Sequence, residues 1–198
     1  MTRLANRWLS PVFLLLLVAC AASGPPLNSD RIKAIFGSYG VAILQENEQR
    51  RVSSLYSGTG DKPVTRTYAV VEYLGKPRPE YQKTHEAIVA GASMGASFRR
   101  AGWEIRKQHL FIGELEVPAS YALLGELMQL SLPESLAVHQ YLFVISNENR
   151  SFSYARITEV HHPEFADAGQ LRQWYGEIIL DDSNRDHIQD FIGPPPAK

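Results

Sequence analysis

The chain has 198 residues, 44% of them hydrophobic and 21% charged, with a formal net charge of −1. That balance excludes a disordered chain, which has too little apolar surface to fold, and excludes a binder drawn to nucleic acid or anionic lipid by charge alone. With 1 cysteine no internal disulfide is possible, so the folded part must be held by its core.

At the N-terminus Arg3 and Arg7 precede an apolar run from Trp8 to Val18, interrupted by Pro11. A helix needs roughly 20 apolar residues to cross a bilayer, so this shorter run reads as the hydrophobic region of a signal peptide. Leu17-Val18-Ala19-Cys20 follows it. This tetrapeptide resembles the lipobox of bacterial lipoproteins, and the resemblance covers about the first twenty residues. It implies a leader of residues 1–19, cleavage before Cys20, and acyl chains on the cysteine and on the new amino group. Two or three chains, at ~0.8 kcal/mol per buried methylene, anchor stably where one would be marginal. The alternative is an ordinary secretory signal cut near Ala19-Cys20-Ala21; the place of the sole cysteine at the end of the apolar run favours lipidation. By the same resemblance Ala21, rather than Asp, implies sorting to the outer membrane with the domain facing the periplasm. Removing Arg3 and Arg7 leaves 18 basic against 21 acidic residues, so lipid and not charge makes the membrane contact.

Residues 20–28 read as a tether, small, polar and Pro-containing, with a reach of at most about 30 Å. A single domain is expected over 29–192, ending in a disordered Pro-rich tail, 193–198. Ser29 is placed to cap a helix from Asp30 to Phe36, with Gly37 as its stop. Val41–Gln45, Val52–Tyr56 and Val64–Leu74 are rich in β-branched and aromatic residues and read as strands. From Glu80 to Ala101 the period changes. Ala87, Gly91, Met94, Phe98 and Ala101 recur at helical spacing, predicting one long amphipathic helix whose Gly91 and Gly95 let it lie close to a sheet.

After Gly102 the residues alternate. Trp103, Ile105, His109, Phe111, Leu115 and Val117 are assigned to one face of a strand bent at Gly113. A helix over Ala119–Leu130, a hairpin of Leu136–Ile145 with Phe152–Val160, and a helix over Ala168–Tyr175 complete the chain. The expected fold class is α+β: a mainly antiparallel sheet of five or six strands, with one long amphipathic helix and shorter helices packed on it.

Three patterns bear on chemistry. Gly91-Ala92-Ser93-Met94-Gly95 matches the G-x-S-x-G nucleophile elbow, with Asp181 and His187 as a possible acid and base further on. The βα units an α/β-hydrolase needs before its elbow are missing, however, and the helix reading puts Ser93 on a polar face. His139, Glu159 and His161 lie on strands expected to pair, with Glu159 and His161 on one face by their spacing, which makes them candidate metal ligands. His85-Glu86 opens an H-E-x-x-H pattern that Val89 leaves incomplete, and Asp182 to Asp186 starts a calcium-loop pattern that lacks its glycine and closing glutamate. No catalytic residue and no cofactor is assigned on these grounds. The expected function is a membrane-anchored, non-enzymatic lipoprotein that binds a protein or envelope component and no nucleic acid. The alternative is an envelope hydrolase or metalloenzyme using Ser93 or a His139/His161 site.

Overall fold

The computed structural model describes residues 26–58, 62–148, 150–176, 178 and 188. The leader and Cys20, the tail 193–198, and Asp181, Asp182 and His187 lie outside them. No helix among the described residues is long and apolar enough to cross a membrane.

A six-stranded antiparallel sheet organises the molecule, in the order β1-β2-β3-β6-β5-β4. Its strands are β1 (Gly40–Glu46), β2 (Arg50–Ser57), β3 (Val64–Tyr73), β4 (Glu104–Val117), β5 (Glu134–Asn147) and β6 (Arg150–His161). Alternation along each strand sends neighbouring residues to opposite faces. One face carries Val52, Val70, Val138 and Val160 and is closed by Leu124 and Met128 of α4 (Ala122–Met128). The other is covered by α1 (Asn28–Phe36), α2 (Gln82–Val89), α3 (Met94–Arg100) and α5 (Ala168–Tyr175).

Helix α1 begins earlier than the sequence suggests. Leu27 holds the cap position, its N–H donating to Asp30 Oδ2 at 3.1 Å, so Ser29 lies inside the helix. Gly37 stops it in a left-handed conformation at φ 74°, its N–H bonded to Lys33 O. Asp167 caps α5 by accepting from Gln170 N at 2.7 Å.

The single long helix is not formed. Among the described residues the five helices are seven to nine residues long, and the Glu80–Ala101 stretch is broken into α2 and α3. Gly91 makes the break at φ 105°, which side chains with a Cβ rarely adopt. The break shifts the phase between the two pieces. Ile88 and Phe98 are fully buried, while Ala87 and Ala101, assigned to the same buried stripe, are exposed. Gly95 does permit a close approach, though to the start of α1 and not to the sheet: a Cβ there would stand 2.7 Å from Leu27 Cδ1.

Strand β4 also departs from simple alternation. A bulge between His109 and Phe111 puts an extra residue opposite β5, so the strand changes face there and not at Gly113. His109 and Lys107 face the helix-covered side, and Phe111, Leu115 and Val117 join the opposite core.

Candidate metal centre

The helix-covered face is apolar at one end, where Tyr81, Phe98, Trp103 and Phe143 pack on Val71 and Ile157. Its middle is polar. His139 and Glu159 are directly opposite each other on β5 and β6, and His161 lies two residues along β6, so all three side chains emerge together. Among the described residues they form the one group of three whose ligand atoms all lie within 4.8 Å of one another. His139 and His161 are 0% exposed and Glu159 is 5% exposed.

Glu159 Oε2 sits at the centre of the group. His139 Nδ1 is 3.6 Å away and His161 Nε2 is 3.9 Å away, both too far for a hydrogen bond. These three atoms are all buried with no hydrogen-bond partner, a condition that costs about 1–3 kcal/mol for each neutral group and more for a charge. The other atom of each side chain is held. The Tyr141 hydroxyl donates to Glu159 Oε1 at 3.0 Å. Thr67 Oγ1 meets His161 Nδ1 at 3.0 Å, and His109 Nδ1 meets His139 Nε2 at 2.8 Å. When His161 donates through Nδ1 and His139 through Nε2, the lone pairs of His161 Nε2 and His139 Nδ1 face Glu159 Oε2. That arrangement of outer partners fixing inner donors is the usual surrounding of a bound metal ion.

Protonation favours the same use. Burial pushes His139 down to about 3 and His161 down to about 4, so both imidazoles are neutral donors at pH 7. Burial alone would raise Glu159, but the Lys107 ammonium beside it leads the groups that outweigh burial, and the carboxyl is held below its ordinary range. Two neutral imidazoles and one carboxylate are the donor set of many zinc sites, leaving one coordination position open. Donors around a tetrahedral ion at ~2.0 Å lie ~3.3 Å apart; the histidine–Glu159 separations are 3.6 and 3.9 Å, and all three atoms lie within 4.8 Å of one another.

Lys107 is the centre's own cation. Its Nζ lies 3.7 Å from Glu159 Oε2 and 4.2 Å from the centre of the Tyr141 ring. Tyr175 of α5 roofs the group, stacked on His139 at 4.6 Å and tied by its hydroxyl to Arg31 of α1. Alternation along β4 puts Lys107 on the same face as Ile105 and His109, a signal present in the sequence that its charge obscured.

Other candidates separate from this group. Ser93 precedes α3 with an extended backbone, φ −64° and ψ 124°, and a helix rather than a strand comes before it. It lies neither on the polar face of a long helix nor at an elbow. It lines a cavity that also reaches Glu159 and Lys107, and no histidine among the described residues lines that cavity. Burial raises the neighbouring Tyr39 phenol, with Ser93 opposing the rise. His85 is bonded to the Tyr154 hydroxyl at 2.8 Å, and His162 accepts from the Glu164 N–H at 3.1 Å, so both have local structural partners. Among the described residues the exposed large apolar side chains are Ile35, Leu44, Leu74, Val89 and Leu123. Compared with known proteins, the chain matches no family model and no curated protein significantly.

Proposed function

We propose that this chain is a lipid-tethered envelope protein whose folded domain binds a divalent transition-metal ion through His139, Glu159 and His161. The carrying observation is the convergence of three buried donor atoms without partners, each on a side chain whose second polar atom is held in place. Chance burial of polar groups does not leave their free ends aimed at one another, because each such group is costly. The set suits zinc or a similar ion, since imidazole and carboxylate are borderline to hard donors and no thiolate takes part. The tether is supported by the lipobox-like Leu17–Cys20 segment alone. A domain on such a tether holds its metal within a few tens of ångströms of the bilayer.

Metal analysis and calorimetry on the full chain test this reading. One zinc per chain is expected, with affinity at least 100-fold lower in Glu159→Gln and in His161→Ala, and about 10-fold lower in Thr67→Val. Zinc at 100 times its Kd raises stability by about 2.7 kcal/mol. Failure to retain zinc, or retention undiminished in all three variants, overturns the assignment. Mass spectrometry of the native N-terminus tests the tether: a thioether-linked diacylglycerol on Cys20 is expected, and an unmodified cysteine removes it.

A further inference from the structure

We propose that the cavity beside Glu159 binds a small organic carboxylate, and that a metal ion at the His139–Glu159–His161 centre charges the cavity to receive it. The proposal rests on the metal-binding reading above. The cavity holds about 100 Å³, is partly open to solvent, and is lined by the sheet, the start of α1 and the start of α3. Lys107, Glu159 and Asn28 form part of its polar lining; Val71, Phe143 and Ile157 belong to its apolar wall.

Without a metal the charges on this wall are matched. Lys107 lies 3.7 Å from Glu159, and Arg51 lies 3.5 Å from Glu46 with its Nη1 donating to Ile88 O at 2.7 Å. A divalent ion bound through Glu159 Oε2 takes over the oxygen that faces Lys107. The metal, Glu159 and Lys107 then carry two net positive charges beside a low-dielectric cavity, and the Lys107 side chain is only 10% exposed to water. A buried excess charge of that kind is strongly unfavourable until a counter-ion arrives. The cavity touches both the lysine and the carboxylate, so an anion entering it can meet the ammonium beside the carboxylate that would hold the metal.

The remaining lining selects the kind of anion. Asn28 is 4% exposed, and neither its amide nitrogen nor its amide oxygen has a hydrogen-bond partner. Its N–H is a donor for one oxygen of a planar carboxylate. The apolar wall suits a short aliphatic tail, which a bare inorganic ion does not have. Atoms of the chain are not consumed and no bond is made or broken; the cavity only binds.

Titration calorimetry on the full chain, with zinc as the metal and butyrate, acetate and inorganic phosphate as anions, decides the matter. Zinc-loaded protein should bind butyrate at least 10-fold more tightly than metal-free protein, and more tightly than acetate or phosphate. Lys107→Met should keep zinc and lose most of the gain. Ser53→Met, which fills the cavity from β2 at a residue that is not one of the three ligands, should keep zinc affinity within about threefold and lose butyrate. Zinc binding with no change in butyrate affinity overturns this proposal and leaves the metal site standing. Equal preference for phosphate overturns the organic class, and retention of butyrate by both variants overturns the location. No zinc binding at all removes both readings together.

Discussion

Strands β5 and β6 present two faces that differ by one step along the chain. Val138 pairs with Val160, and their neighbours His139 and Glu159 pair with each other. All four are almost fully buried, yet the first pair belongs to an apolar core and the second to a polar centre with partnerless atoms. Equal burial therefore has opposite consequences. The valine face stabilises the fold, at about 25 cal/mol per Å² removed from water. The histidine face costs stability unless something compensates it, and natural proteins keep such groups where they are used.

The largest effect should come from the valine face. Met128 of α4 is 0% exposed and closes that core. Met128→Ala should cost about 3–4 kcal/mol in chemical denaturation, through lost burial and the cavity left behind, while zinc affinity changes less than about twofold. A large change in zinc affinity would mean that the two faces are coupled and the division is wrong.

The next effect is a pH profile belonging to the histidine face. His139 and His161 are lowered to about 3 and about 4 by burial, against about 6.5 in an unfolded chain. Between those values the unfolded state binds more protons, so stability rises with pH through this window. It is complete above about pH 6.5 and lost as pH falls toward 4. Glu159, also held below its ordinary value, pulls in the same direction at the acid end. Lys107, His109 and Arg31 surround the group and oppose added positive charge. Metal-free protein should lose about 3–4 kcal/mol between pH 7 and pH 5, roughly 2 kcal/mol from each imidazole. A flat profile would show that the imidazoles are not buried neutral.

A third substitution set sharpens the contrast by making the two faces alike. Combining Lys107→Met, His139→Leu, Glu159→Met and His161→Leu replaces the polar centre with apolar side chains of similar length. Buried ionic groups exchanged in this way often leave a protein as stable or more stable. The metal-free domain should gain about 1–2 kcal/mol, lose its acid sensitivity and bind no zinc. Marked destabilisation would instead make the centre part of the scaffold, and its metal-binding assignment would lose its main support.

How much of this the chain itself disclosed follows from which forces are local. The strands were legible because β-branched and aromatic residues cluster in them, and the helix expected over Ala168–Tyr175 forms with those bounds, capped by Asp167. The spacing of Glu159 and His161 showed that they share a face. Hairpin register is a tertiary property, so nothing in the sequence stated that His139 would stand opposite Glu159. Lys107 was legible by alternation, since it falls between Ile105 and His109 on their face, but its charge argued against an inward place; the bulge at His109/Phe111, which sends Phe111 to the opposite core, leaves no signature in ordinary residues. The long helix failed at Gly91. The apparent stripe through Ala87 and Ala101 was coincidental, since both are exposed, and Gly91 read as a packing residue when its role was its φ of 105°.

The smallest expected effect separates two residues that both precede helices on the histidine face. Asp167 accepts a hydrogen bond from Gln170 N and so satisfies an end group of α5, the helix that carries Tyr175 over His139. Asp167→Ala should cost about 1 kcal/mol, the usual value of a lost cap. Ser93 stands at the same position before α3 but makes no capping hydrogen bond with its side chain. Ser93→Ala should therefore change stability by less than about 0.5 kcal/mol. It should also leave the protein's response to a fluorophosphonate probe unchanged, because a serine without a histidine base beside it is not an activated nucleophile. Labelling of the wild type that disappears in Ser93→Ala would restore the hydrolase alternative and make the cavity an acyl-transfer site. Equal, negligible labelling of both leaves Ser93 as lining for a cavity whose chemistry is set by Lys107 and Glu159.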